Sequence, residues 1–255
     1  MTLREKNGNK AMKPYIFNET DNFAVVYKPP RLHCAPLKNS GGFTLLDWYA
    51  AIFPDVTELS GRKIGEGGLL HRLDFETQGL VLFAKNQKSL DSLYAQQEEG
   101  LFVKEYSALC HKNPSLETRL NAALASGAIE SYFRPFGPGR KQVRPIMAET
   151  GKEIAKDKNG YYRTEIACVS ETGAGYLSFS LRLRRGFRHQ IRSHLAWIGC
   201  PVINDPLYGA VDNASDDGFL ALRANGLAFA DPENGLKFEY RIEPLRSFPV
   251  ASFFP

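Results

Sequence analysis

Several kinds of chemistry have no residues to stand on in this chain of 255 residues. It has no apolar run long enough, roughly 18 residues, to suggest a membrane span. The opening segment MTLREKNGNKAMKPY is basic, but no apolar stretch follows it as a signal peptide would need. Residues 1–14 therefore read as a flexible arm, and the cytoplasm is the expected location. Cysteine is sparse. Cys34, Cys110, Cys168 and Cys200 form no C-x-x-C pair, so zinc spacing is missing and all four read as reduced packing thiols. His189 and His194 are close together, but no H-E-x-x-H occurs. There is no G-x-S-x-G elbow, and GPGRK (137–141) lacks the context of a phosphate loop. Glu76 is the one acid close to Asp74, and no second carboxylate stands at a spacing typical of a glycosidase pair. Repeats and low-complexity linkers are missing too.

What is present is an ordinary globular composition with uneven charge. The chain is 43% hydrophobic and 24% charged, with net charge +4. Residues 130–200 hold 13 Lys/Arg against 6 Asp/Glu, so the remainder is net acidic. That asymmetry suggests a basic face and an anionic partner, most commonly nucleic acid. A solvated basic loop is the plain alternative.

Apolar periodicity outlines the elements. FAVVY (23–27) reads as a strand stopped by Lys28-Pro29-Pro30. Thr44 reads as the cap of a helix with Leu45, Trp48, Tyr49 and Ile52 on one face. GLVLFAK (79–85) is a second strand. Asn86 opens a helix with Leu90, Leu93, Tyr94 and Gln97 in one stripe, and Gly100 stops it. LFVKEYSALC (101–110) reads as a strand with Lys104, Tyr106 and Ala108 on one face. Residues 134–163 read as an irregular basic segment. YLSFSLRLR (176–184) alternates, with Leu177, Phe179, Leu181 and Leu183 inward. HQIRSHLAWI (189–198) reads as a helix with Ile191, Leu195 and Ile198 on one side, ending at Gly199. Arg188 and Arg192 fall one turn apart on it. LAFADPENGLKFEYRI (227–242) reads as a hairpin with its turn at DPENG and Leu236, Phe238, Tyr240 and Ile242 on one face. The pattern predicts an α+β fold on a mixed, largely antiparallel sheet. Its two lobes would be flanked by helices around a central cleft.

GGLLHRLDFETQGLVLFAKN (67–86) places an arginine and a carboxylate between two apolar segments. Asp74 suits a turn or cap role on local context. A functional role needs a cation to keep it ionised, and Arg72 and Arg192 are the candidates. One Asp, a Lys-x-Tyr strand and an Arg-rich helix fit a site for a polyanion without metal or cofactor, but name no reaction.

Five ordered segments together resemble the RluA-type RNA pseudouridine synthases. VVYKPPRL (25–32) resembles the family's opening strand and Lys-Pro-Pro-Gly-like turn. HRLDFETQGL (71–80) resembles its H-R-L-D-x-x-T-S-G-L, and KEY (104–106) its K-x-Y. GFRHQIRSHL (186–195) resembles its G-R-x-H-Q-I-R-x-H-L, and NDPLYG (204–209) its G-D-P-L-Y-G. The resemblance spans about residues 15–245. It implies a single catalytic domain over residues 15–255 that converts uridine to pseudouridine in structured rRNA or tRNA. It implies no cofactor and no metal, and the chain is expected to act as a monomer. Asp74 matches the essential aspartate, acting as nucleophile or base on the ribose side. Tyr106 matches the tyrosine packed on the target base, and Arg192 the basic partner of the aspartate. Arg72 matches an arginine that fills the place of the flipped nucleotide. Lys104, Arg188, His189 and Gln190 are expected among the RNA contacts, and His71 is expected to pack. Two positions depart from the pattern: Phe187 replaces an arginine and Gln78 a serine. Residues 1–14 are too short for an S4-type RNA-binding domain, so RNA choice is expected to rest on the catalytic domain with segment 134–163. Two other readings compete: a non-catalytic RNA-binding or RNA-chaperone protein on the same fold, and a nucleosidase-like hydrolase. The first leaves the Asp74, Tyr106 and Arg192 set without purpose, and the second lacks its second acid.

Overall fold

The computed structural model describes residues 12–37, 41–147, 160–172, 176–209 and 218–245. Most of the expected N-terminal arm, and positions 148–159 of the basic segment, lie outside the described residues.

Alternation builds the centre of the molecule. Strands β2 (Phe23–Lys28) and β3 (Gln78–Ala84) are buried at every position, because each face of the sheet carries its own core. Ala24, Val26, Val81 and Phe83 enter the larger core with helices α1 (Leu45–Ala50), α3 (Glu117–Ser126) and α4 (Gln190–Trp197). Phe23, Val25, Leu80 and Leu82 enter the second core, which α2 (Gln87–Glu98) covers with Leu90 and Leu93. Period-2 geometry sends successive residues to opposite faces.

The other strands are β1 (Tyr15–Glu19), β4 (Val103–Cys110), β5 (Ala128–Phe136), β6 (Gln142–Ile146), β7 (Tyr162–Glu171), β8 (Leu177–Leu183), β9 (Leu222–Ala230) and β10 (Lys237–Arg241). Their order in the sheet is β1-β2-β3-β9-β4-β8-β7-β5-β6, with β10 hydrogen-bonded to β9. All the strand pairs run antiparallel except β3 with β9. The two lobes expected from the sequence are thus the halves of one continuous sheet. The parallel junction is tight. A Cβ on Gly79 would lie 2.1 Å from the carbonyl oxygen of Ala224, so glycine alone fits there.

The caps follow the sequence signals. Thr44 and Asp47 form a capping box, Asn86 caps α2, and Gly100 and Gly199 take positive φ where their helices stop. Asp231 accepts from the backbone of Glu233 and Asn234 in the β9–β10 turn. Among the described residues no helix is long and apolar enough to cross a membrane.

Five expectations are corrected. α1 ends at Ala50, leaving Ile52 exposed, and Leu236 is exposed in its turn. Cys168 is exposed on β7, while the other cysteines are buried, and all four are free thiols. Residues 134–146 are not irregular: β5 and β6 form a hairpin through Gly137 and Gly139, both at positive φ. Arg188 is not on α4. His189 takes a left-handed conformation, φ 55°, and the helix begins only at Gln190.

Candidate active site

The segment around Asp74 is a loop tied to its neighbours on both sides. Leu70 and Gly68 pair with β3, through Leu70 N–H to Leu82 O at 3.0 Å and Ala84 N–H to Gly68 O at 2.8 Å. The next residue, His71, turns inward and accepts from Leu82 N–H at 3.3 Å. Leu73 N–H donates to the buried Cys34 thiol at 3.2 Å. The Phe75 carbonyl accepts from Lys28 at 3.3 Å. Between these ties, Arg72 and Asp74 project outward. Lys28 therefore does more than end a strand: wholly buried, it also bonds the carbonyls of Pro29 and Leu32 and so joins the Pro-Pro turn to the Asp74 loop. Burial pushes its pKa down to about 8.

Asp74 faces a cleft of about 880 Å³ that includes Tyr106, Lys104, Arg72, His189 and Arg192 in its lining. Its side chain is 23% exposed and lies 3.5 Å from Arg192 Nη1. His189 Nε2 is 3.9 Å from the other carboxylate oxygen, and burial holds the His189 pKa below its ordinary value. His189 Nδ1 also contacts the Tyr208 hydroxyl at 3.2 Å.

Arg192 owes its aim to a residue whose role the sequence left unread. Asp205, with no exposed side-chain surface, takes Nε at 2.8 Å and Nη2 at 2.7 Å in a bidentate grip. Its Oδ1 also accepts the backbone N–H groups of Leu207 and Tyr208. The Nε–Nη2 edge of the guanidinium is thereby occupied, and Nη1 is left pointing at Asp74. Burial opposes the charge on Arg192, but the Asp205 hydrogen bonds outweigh it and raise the pKa above the usual value. The signal was available: an arginine buried on an apolar helix demands a carboxylate, and NDPLYG offers one.

Tyr106 sits on β4 with 7% exposure, and burial followed by the nearby Asp74 raises its phenol pKa. It is therefore a protonated ring at neutral pH. Lys104 is on the same face, buried, with its pKa pushed down to about 8 by burial. It is not the surface ion pair that its charge would suggest. Arg72 is 48% exposed on the rim and pairs with Glu66 at 3.2 Å.

The remaining expected RNA contacts divide. Arg188 is exposed, lines the cleft, and donates to the carbonyls of Arg140 and Gln142. Gln190 is buried and its amide is committed inside: it accepts from Phe187 N–H and donates to Arg163 O and Thr164 Oγ1. It holds the start of α4. The two departures also have structural partners. Phe187 stacks on Phe133, centroids 5.1 Å apart, beside Tyr162 at 5.0 Å. The Gln78 carbonyl oxygen accepts from Tyr27 OH at 2.7 Å and Arg223 at 3.2 Å, across three strands.

Residues 22–197 match the family model for RNA pseudouridylate synthase. An uncharacterised RNA pseudouridine synthase of Mycoplasma pneumoniae is 31% identical over 217 residues, covering 85% of this chain and 62% of that protein. Ribosomal large subunit pseudouridine synthase D of Haemophilus ducreyi is 27% identical over 232 residues, covering 86% and 64%. The chain spans about three fifths of the length of these curated relatives. Among solved structures, human RNA pseudouridylate synthase domain containing 1 superposes with TM-score 0.61 at 21% identity, over 94% of this chain and 86% of that one, a likeness of fold. The matched region takes in β2, the Asp74 loop, the Lys104–Tyr106 strand and α4, and the chain belongs to the RNA pseudouridylate synthase family.

Proposed function

We propose that this protein isomerises specific uridines of structured rRNA or tRNA to pseudouridine, with Asp74 as the catalytic group. The observation that carries this is the setting of Asp74. Its backbone is tied on both sides, its carboxylate is open to a nucleotide-sized cleft, and one arginine edge is aimed at it by a second, buried carboxylate.

The target base must leave its stack, at a cost of about a few kcal/mol. Cations around the cleft offset that cost through the phosphates. Arg72 on the rim occupies the vacated space in the RNA. Arg188 and His189 meet the backbone, and Tyr106 packs against the uracil. Asp74, with Arg192 Nη1 3.5 Å away, attacks ribose C1′ or removes a proton on the ribose side. The N1–C1′ bond breaks and uracil leaves with the electron pair. It rotates within the cleft and the C5–C1′ bond forms as the Asp74–C1′ bond breaks, or, on the proton-abstraction route, as Asp74 returns its proton to the ribose; N1 takes up a proton, and the C5 hydrogen is lost as a proton. The reaction is an isomerisation, and uracil itself is both leaving group and nucleophile.

The fate of that hydrogen gives the test. RNA tritiated at uracil C5 should release tritium to water with the wild-type protein and not with Asp74→Asn. Equal release from both, with the Asn form pure and folded, would remove Asp74 from the chemistry.

A further inference from the structure

Two lysines are buried against the Asp74 loop and the cleft, and their surroundings treat them oppositely. Lys28 donates to three carbonyls and is structurally committed. Lys104 is 6% exposed and lines the cleft, two residues before Tyr106 on the same strand face. Among the described residues its ammonium has no hydrogen bond and no ion pair. Its Nζ lies 5.8 Å from the Phe102 ring centre. A Cβ on Gly186 would come within 3.3 Å of it, so glycine there leaves room in front of the charge. Arg184 and Arg185 precede that glycine. The first bonds the Gly100 carbonyl and the second lies over the Tyr162 ring at 5.5 Å, and neither meets a carboxylate among the described residues. A buried charge without a counter-charge is unfavourable until an anion arrives.

We propose that Lys104 and the Gly186 turn form a phosphate subsite that holds the RNA backbone next to the target nucleotide, and that the site works only while the ammonium is protonated. The inference rests on the isomerase reading of the cleft. Phosphates are the full negative charges that RNA brings, and an ammonium presents three donors to one of them.

Protonation makes the subsite sensitive to pH. Burial, and then Arg62 on the rim, push Lys104 down to about 8. The other ionisable groups facing it are His71 of the Asp74 loop, held well below 6.5 by burial and by Lys104, and the permanently charged Arg184 and Arg185. A bound phosphate favours the charged form, so affinity falls as pH rises through the free-protein value.

The test uses the RNA fragment carrying the uridine that the wild-type protein modifies, with dissociation constants from fluorescence anisotropy. Between pH 7.5 and 9 the wild-type constant should rise about eightfold. Lys104→Arg keeps its charge and should stay flat across that window. Lys104→Gln should bind weakly already at pH 7.5, with a logarithmic salt slope smaller by about 0.7–0.9. An unchanged salt slope in Lys104→Gln overturns the subsite. So does a pH dependence that persists in Lys104→Arg. If the wild-type protein modifies no uridine, the isomerase reading itself fails and the subsite falls with it. Pseudouridine is measured separately, so the two failures are told apart.

Discussion

Asp205 and Asp74 share one arginine but stand on different terms with it. Asp205 is wholly buried and doubly bonded, whereas Asp74 is partly open with one contact at 3.5 Å. Their substitutions should therefore separate stability from chemistry. Asp205→Asn leaves the Arg192 charge buried without its main partner, and should lower unfolding free energy by about 3–5 kcal/mol. Asp74→Asn should melt within a few degrees of wild type while activity disappears. Urea denaturation of both proteins checks this, and equal destabilisation would contradict the division. At this scale the sequence motifs located Asp74, Tyr106 and Arg192, but not what each touches. Gln78 and Phe187 depart from the family pattern, and in space each joins a local network, Gln78 between Tyr27 and Arg223 and Phe187 in an aromatic stack.

Helix α4 shows what an element adds. Its Ile191 and Leu195 were legible as an apolar face, yet Gln190, Arg192, Ser193 and His194 are buried as well. They are tolerated because each finds a polar partner, Gln190, Ser193 and His194 on strands and Arg192 on Asp205 of the following loop. His194 contacts Ser131 Oγ on β5 and Thr164 Oγ1 on β7, both at 2.8 Å, and burial pushes its pKa down to about 3. Unfolded, this histidine takes up a proton near its ordinary value of 6.5, while the folded form resists. Its contribution is therefore fully present above pH 6.5 and is lost as pH falls from there towards 3, about 2 kcal/mol by pH 5. His194→Gln should lose stability at pH 7 but show a shallower decline from pH 7 to 5, as read by denaturant midpoints. An identical decline would place the acid sensitivity elsewhere. The β5–β6 hairpin was misread because Pro135, Pro138 and Pro145 suggest loop. Proline is accepted there because β6 ends the sheet, and at Pro135 only β6 is paired.

Across the whole molecule, the site joins segments that no local pattern connects: Asp74 and Arg192 lie 118 positions apart. Alternation and capping foretold most strands and helices, because those signals are local. The continuous sheet, the parallel contact of β3 with β9, and the aim of Arg192 by Asp205 depend on tertiary packing and were not legible. The charge excess over residues 130–200 suggests a basic face. Within that range Arg184, Arg185 and Arg188 line the cleft, Arg192 lies beside Asp74, and Arg134 and Arg144 face each other across the hairpin. The central claim is that Asp74, so held, converts uridine to pseudouridine in cellular RNA. Pseudouridine mapping of rRNA and tRNA from cells lacking this protein, restored with either wild type or Asp74→Asn, tests it most directly. The account predicts at least one uridine unmodified in the deletion, recovered by wild type and not by the Asn form. No lost modification on deletion, or full recovery with Asp74→Asn, would contradict it.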